Sequence, residues 1–369
     1  METTARFDCR HFIGDRPCQW GGRCEGCEHY SPMGRRILIV KLAAAGDVLR
    51  TTAILPPLKR KHEDSHITWV TDATALPLLR LNPYLDRVMP FGFPAYVELS
   101  GQWFDEVICL DKEPRAAAFA DAMRAETRRG YGLTEHGTVR PLDEGARYDF
   151  ELGLCNERKF HENARSAPDI FCDVAGVEAS GEPYLLVLPE DSLEYARDFL
   201  SRFDLKETLI GLNVGAGGVF ANKAWSVEGY AELARLIASE FDGVAIVLGG
   251  PDDRDRMNRV VELAGGAAID GGTHALLDFA AIVAHVDALV TGDTMALHMA
   301  VAEGVPVVAL FGPTVPQEIE LYGRGRKVVT PADCAPCYRR TCEVAPNCME
   351  QLPVETVMSA LRETLDEGE

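Results

Sequence analysis

Three stretches of this 369-residue chain carry residue types that could do chemistry on a charged ligand. In "KLAAAGDV", Gly46 permits a tight turn and Asp47 opens the segment behind it. An acid there either favours a helix N-terminus, worth ~0.5–2 kcal/mol, or acts as a base. In "NVGAGGVFANKAWS", Gly215, Gly217 and Gly218 expose backbone N–H groups after an apolar run, and Lys223 adds a point charge. Such a loop either cradles phosphate or is a flexible surface turn with a solvated lysine. It matches neither the G-x-G-x-x-G dinucleotide fingerprint nor a G-K-[ST] phosphate loop. In "LVTGDTMALHMA", Gly292, Asp293 and Thr294 stand at a helix start, where free N–H groups and the helix dipole attract anions. His298 lies four residues beyond Thr294, on the same helical face. The plainer reading is a capping Asp or Thr and a core histidine. "LFGPT", residues 310–314, would form the neighbouring wall.

Eight of the eleven cysteines fall into two groups. Cys9, Cys18, Cys24 and Cys27 are spaced C-x8-C-x5-C-x2-C, and Cys334, Cys337, Cys342 and Cys348 are spaced C-x2-C-x4-C-x5-C. Four thiols in a short segment suit tetrahedral Zn or an iron–sulfur cluster, although neither spacing is a standard finger. The N-terminal group has few apolar residues to fold it and is the better metal candidate. The alternative is reduced thiols in compact loops. The start, METTARFDCR, lacks an apolar signal segment, so the expectation is a cytoplasmic, reducing location without a disulfide framework.

These stretches must be positioned by strands and helices, and apolar patterning supplies them. Apolar runs at 37–42, "HITWVTD", 87–91 and "FDEVICLD" alternate with helix-like segments. A second series begins after a polar stretch at 142–183, with strands at "TLIGLNV", "GVAIVLGG", "DALVTGD" and "PVVALFG". Helices are expected at 115–129, 190–202, 226–241, 252–264, 275–285, 294–303 and 353–366. Strands alternating with helices indicate parallel α/β sheets, and ligands bind beyond the carboxyl ends of such strands. The expected organisation is a Cys-rich appendage at 1–34, Rossmann-like domains at 35–180 and 181–352 facing a cleft, and a last helix at 353–369.

The formal charge is −20, from 37 basic and 57 acidic residues, which argues against a nucleic-acid partner. No run reaches the ~20 apolar residues of a membrane span. One local excess of base stands out: Arg35, Arg36, Lys41, Arg50, Lys59, Arg60 and Lys61, with only Asp47 among them as an acid. It is either a solvated face or a patch for anionic lipid, and the latter would allow peripheral contact with the inner membrane.

Taken in order, "ILIVKLAAAGDVLRTTAILPPLKRK", "NPYLDRVMPF", "NVGAGGVFANKAWSVEGYAELARLI", "AIVLGGPDD", "LVTGDTMALHMAVAEGVPVVALFGPT" and "CAPCYRRTCEVAPNCMEQLPVETV" resemble glycosyltransferase family 9, the bacterial lipopolysaccharide heptosyltransferases. The resemblance spans about residues 35–366, and the Cys-rich segment near the end is similar to the heptosyltransferase II branch. It implies a GT-B fold with acceptor on the first domain, nucleotide-sugar on the second, and the last helix packed back on the first. It also implies inverting transfer without a required cofactor or divalent metal, from ADP-heptose to a lipid-linked inner-core saccharide. By that resemblance Asp47 is the general base and Lys223 neutralises the leaving diphosphate. Asp293 contacts the donor sugar, Thr294, Met295 and Leu297 supply the helix start that receives phosphate, and His298 keeps the family's spacing. The chain departs from the family pattern at Ala43, Ala44 and Ala45, where Ser or Thr is usual, at Ser226 in place of Pro, and at Met295 in place of Gly. Two other readings remain open at this point: a relative using another nucleotide-sugar or a protein acceptor, and a non-catalytic nucleotide- or sugar-binding protein of the same fold.

Overall fold

The protein is seen in a computed structural model that describes residues 4–217 and 223–367. In chain order the elements of the first half are β1 (Arg36–Val40), α1 (Ala45–Thr51), α2 (Leu55–Lys61), β2 (His66–Thr71), α3 (Leu76–Leu79), β3 (Arg87–Pro90), α4 (Phe93–Ser100), β4 (Trp103–Cys109), α5 (Pro114–Ala122), β5 (Arg124–Leu133), β6 (Val139–Pro141), α6 (Glu144–Leu154) and α7 (Ala167–Ala175). The second half holds α8 (Glu190–Leu200), β7 (Thr208–Asn213), α9 (Val227–Glu240), β8 (Gly243–Leu248), α10 (Arg254–Ala264), β9 (Ala268–Asp270), α11 (Leu276–Val283), β10 (Ala288–Gly292), α12 (Met295–Glu303), β11 (Val307–Phe311), β12 (Gly325–Val329) and α13 (Val354–Asp366).

The strands form two sheets. One runs β3-β2-β1-β4-β5-β6, parallel except for β6 against β5. The other runs β12-β11-β10-β7-β8-β9 and is parallel throughout. Counted from its own first strand, each sheet has the order 3-2-1-4-5-6 of a doubly wound α/β domain. The central strands are buried on both faces, which is why β1, β8 and β11 read as unbroken apolar runs. Strand order reverses between β1 and β4 in one sheet and between β7 and β10 in the other, and these reversals are where such sheets bind ligands.

The chain divides into two compact units, one of residues 1–44, 53–151 and 170–180, the other of 45–52, 152–169 and 181–369. One break between the units falls at 180–181, and two segments belong elsewhere than their place in sequence suggests. Helix α1 packs on α12, and the 152–169 segment carries Phe160, which stacks on Tyr338 with rings 5.6 Å apart and nearly parallel. The closing helix also differs from expectation. Val357, Met358 and Leu361 enter the core of the second unit, and α13 packs on β12, β11 and α9 there.

The helix expected over 115–129 ends at Ala122, and β5 takes over from Arg124. Its outer residues are polar because the strand lies near the sheet's edge, while Tyr131 is fully buried. The N-terminal segment closes on itself where Cys9 bridges Pro32, with Arg10 N–H donating to Ser31 O and Met33 N–H to Asp8 O, both at 2.8 Å. Arg10 then pairs with Asp86 of the same unit at 2.9 Å.

Candidate functional site

The carboxyl ends of β7 and β10 meet at the order reversal of the second sheet. Asn213, the last residue of β7, ties them together: its side-chain N–H groups reach Thr291 Oγ1 at 2.9 Å and Thr294 Oγ1 at 3.2 Å, and its carbonyl accepts from Tyr230 at 2.8 Å. Gly215 follows, where a Cβ would run into the Asp253 carboxylate. Gly217 adopts φ +68° in open surroundings, and Gly218 lies outside the described residues. Further on, Lys223 Nζ lies 2.8 Å from Asp293 Oδ2 and 3.1 Å from Asp293 O. Gly292 allows this approach, since a Cβ there would sit 2.8 Å from Lys223 O. Behind Lys223, Trp225 is buried with its indole N–H on Leu352 O, and Ser226 caps α9 by accepting from Gly229 N–H at 3.0 Å.

Thr294 is the residue before α12, yet its hydroxyl does not cap that helix and bonds to Asn213 and Thr291 instead. The first-turn N–H groups are therefore not occupied by a Thr294 cap. Met295 is half-buried at the helix start. The Leu297 side chain is fully buried, so what it offers a ligand is backbone only. His298 faces α1, and a Cβ on Gly46 would stand 2.7 Å from its ring, so the Gly in "AGD" lets the two helices meet.

Asp47 is the third residue of α1, a first-turn acid and not a cap. Its Oδ1 lies 2.7 Å from Arg50 Nη2. Burial opposes the Arg50 charge, but Asp47, Glu318, Asp293 and Tyr184 around it outweigh that and hold its pKa above the ordinary value. Burial likewise opposes ionisation of Asp293, but Lys223, His298 and Arg50 prevail and keep its carboxyl below the usual range. His298 is pulled down to about 4, by burial first and Arg50 second, so its ring is neutral at pH 7. The 310–314 segment leads to Glu318, which lies 3.5 Å from Lys159 and accepts from Tyr338 at 3.4 Å. All these residues belong to the second unit. The arrangement offers a cation beside helix-start N–H groups that Thr294 does not cap, with an acid on the helix packed against α12.

The structure thus brings together Asp47, Gly215, Lys223, Asp293, Thr294, Met295 and His298. Sequence reasoning missed Asn213, Tyr184, Glu318 and Tyr338, and it misplaced Arg50. Asn213 had a local signal, a polar residue ending an apolar strand. The others come from loops with no pattern of their own.

The basic run is divided, with Arg60 and Lys61 exposed and Lys41 buried. Lys41 is buried on Asp111, which also accepts from Leu42 N–H, and Arg50 is enclosed beside Asp47. Arg35 reaches Glu106, Arg36 lies on Gln102 and the Phe104 ring, Lys59 on Ser65 O, Arg60 on Ser180 and Lys61 on Gly176 O.

A metal site is not shown either. Among the described residues, no three His, Cys, Asp or Glu side chains come together so as to hold a metal ion. Cys9, Cys18, Cys24 and Cys27 line one cavity of about 310 Å³ together with Arg16, Trp20 and His29. In the second group Cys334 and Cys342 are exposed and Cys348 is buried, with the other three thiols as its neighbours. No helix among the described residues is long and apolar enough to cross a membrane.

Residues 96–347 match glycosyltransferase family 9 (heptosyltransferase), and the chain belongs to this family of glycosyltransferases. It is 25% identical to lipopolysaccharide heptosyltransferase 1 of Pseudomonas aeruginosa, over 84% of this chain and 88% of that one. A family 9 glycosyltransferase from Veillonella parvula superposes with a TM-score of 0.74, at 23% identity, covering 90% of this chain and 98% of that one. The Escherichia coli ADP-heptose LPS heptosyltransferase II gives 0.65 at 19% identity, covering 90% and 99%. The fold is the GT-B fold of these enzymes.

Proposed function

We propose that the protein transfers heptose from ADP-heptose, with inversion, to a lipid-linked saccharide of the lipopolysaccharide inner core, working at the cytoplasmic face of the membrane. The observation that carries this reading is the Lys223–Asp293 pair at the start of α12, with Asp47 held on the helix packed against α12. The heptosyltransferase relatives support the donor and the acceptor class.

In this reading the acceptor hydroxyl attacks the anomeric carbon while Asp47 takes its proton. The bond from that carbon to the diphosphate oxygen breaks, and its electron pair leaves with ADP. Lys223 and the first N–H groups of α12 receive the growing negative charge, as helix starts do for phosphate. Asp293 fixes Lys223 and faces the sugar. Gly215 and Gly217 shape the loop beside the phosphates, and the neutral His298 supports α1 from behind.

A thermal-shift panel tests the donor, because at equal concentration a tighter ligand raises apparent stability more, by RT ln(1 + [L]/Kd). ADP is expected to give a larger shift than UDP, GDP or CMP at equal concentration. A larger shift with UDP or GDP would overturn the ADP-heptose assignment.

A further inference from the structure

We propose that Arg50 is a positioning residue for the transfer, holding the Asp47 carboxylate where it can take the acceptor's proton and fixing it relative to Asp293. The proposal rests on the reading of Asp47 as the base.

Arg50 stands one helical turn after Asp47 on α1, and their side chains meet at 2.7 Å. The pair is asymmetric: the Arg50 side chain is 16% exposed and that of Asp47 37%. The base is thus open to a substrate while its partner is enclosed. Besides Asp47 on α1, the negative charges of Asp293 before α12 and Glu318 beyond β11 act on the guanidinium. A planar, always charged group with five donors is suited to such a hub, and a lysine's point charge is not. The scaffold of α1 is itself fixed. Gly46 lies against His298, and Leu185 N–H donates to Thr52 Oγ1 at 2.9 Å. A carboxylate tethered on a fixed turn cannot swing away from the attacking hydroxyl, and positioning of this kind is a large part of catalysis. With these negative charges acting on it, the Arg50 charge is balanced by the protein, which sets it apart from a residue waiting for diphosphate. Arg50 exchanges no proton in the step; the proton passes from acceptor oxygen to Asp47.

The test compares Asp47→Asn, Arg50→Met, Arg50→Lys and the double variant Asp47→Asn/Arg50→Met with the unaltered protein. It measures kcat, KM, ADP affinity and melting temperature. Arg50→Met is expected to lower kcat about 10²-fold with ADP affinity unchanged within about twofold. Arg50→Lys should recover at least about tenfold of that loss by restoring the charge. In the Asp47→Asn background, Arg50→Met should cost less than about threefold more, because a residue acting through Asp47 has nothing left to position. Multiplying losses in the double variant, a kcat within about threefold of normal in Arg50→Met, or ADP affinity falling with kcat would each overturn the proposal. Where the Met variant does not fold, Arg50→Gln takes its place in the same comparison. Full turnover in Asp47→Asn would instead refute the base assignment, whereas a collapsed Asp47→Asn beside an active Arg50→Met refutes only the role of Arg50.

Discussion

Replacing Lys223 by Ala separates the two things this residue does. Its side chain is 15% exposed and that of Asp293 is 17%, so the pair is largely enclosed. Breaking a fully buried pair by removing one partner costs ~3–5 kcal/mol, and an exposed pair is worth ~0–1 kcal/mol. Arg50 still faces Asp293 after the substitution, so a loss of about 2–3 kcal/mol is expected, or roughly 4–12 °C in melting temperature. The pH dependence has a definite sign. Asp293 sits below its ordinary pKa in the folded protein, so its ionised form stabilises the fold at neutral pH, and that stability is lost as pH falls through the folded value. Without Lys223, burial acts against less opposition and the carboxyl moves up. The deficit relative to the unaltered protein is then greatest at pH 7 and closes as pH falls through the folded pKa of Asp293, below its ordinary 3.8.

Nucleotide binding follows a different rule. A charged contact to phosphate contributes ~1.5–3 kcal/mol, so ADP should bind about 10–150-fold more weakly by titration calorimetry. Adding Asp293→Asn to Lys223→Ala removes the stranded carboxylate and should restore most of the melting temperature, but not the ADP affinity. Unchanged ADP affinity in Lys223→Ala would take the residue out of the donor site. Unchanged melting at pH 7 would mean that the ion pair does not stabilise the fold.

Two further outcomes are expected. Gly46→Ala puts a Cβ 2.7 Å from the His298 ring, so it should lower stability by ~1–3 kcal/mol in a denaturant melt and reduce turnover with it; a variant of normal stability would show that α1 does not need this approach to α12. Among the thiols, burial pushes Cys109 up to about 12, and burial with the neighbouring Cys337, Cys334 and Cys342 pushes Cys348 up to about 11. A maleimide pulse at pH 7.5 read by peptide mass should mark exposed Cys155, Cys334 and Cys342 first, and early labelling of Cys348 would contradict its placement.

What was legible in the sequence was the part written by local pattern. The apolar runs of β1, β7, β10 and β11 marked the strands at both order reversals, and Gly215, Lys223 and Asp293 were visible because they follow such runs directly. What was lost depended on partners far along the chain. β5 reads as helix because its polar residues suit an edge position that only pairing with β4 creates. Lys41 and Arg50 read as surface bases because their carboxylates stand elsewhere: Asp111 is seventy residues on, and Asp293 and Glu318 lie in the other half of the sequence. A run of bases therefore says little about a surface until their acids are located. The regular i, i+3 spacing from Asp47 to Arg50 was the one local sign that this base had a partner, and it gained meaning only once α1 was seen to pack on α12. The same logic explains why Gly46 precedes Asp47. A glycine there is not required by a turn, since its φ is not left-handed; it is required by the neighbour that the fold brings against it.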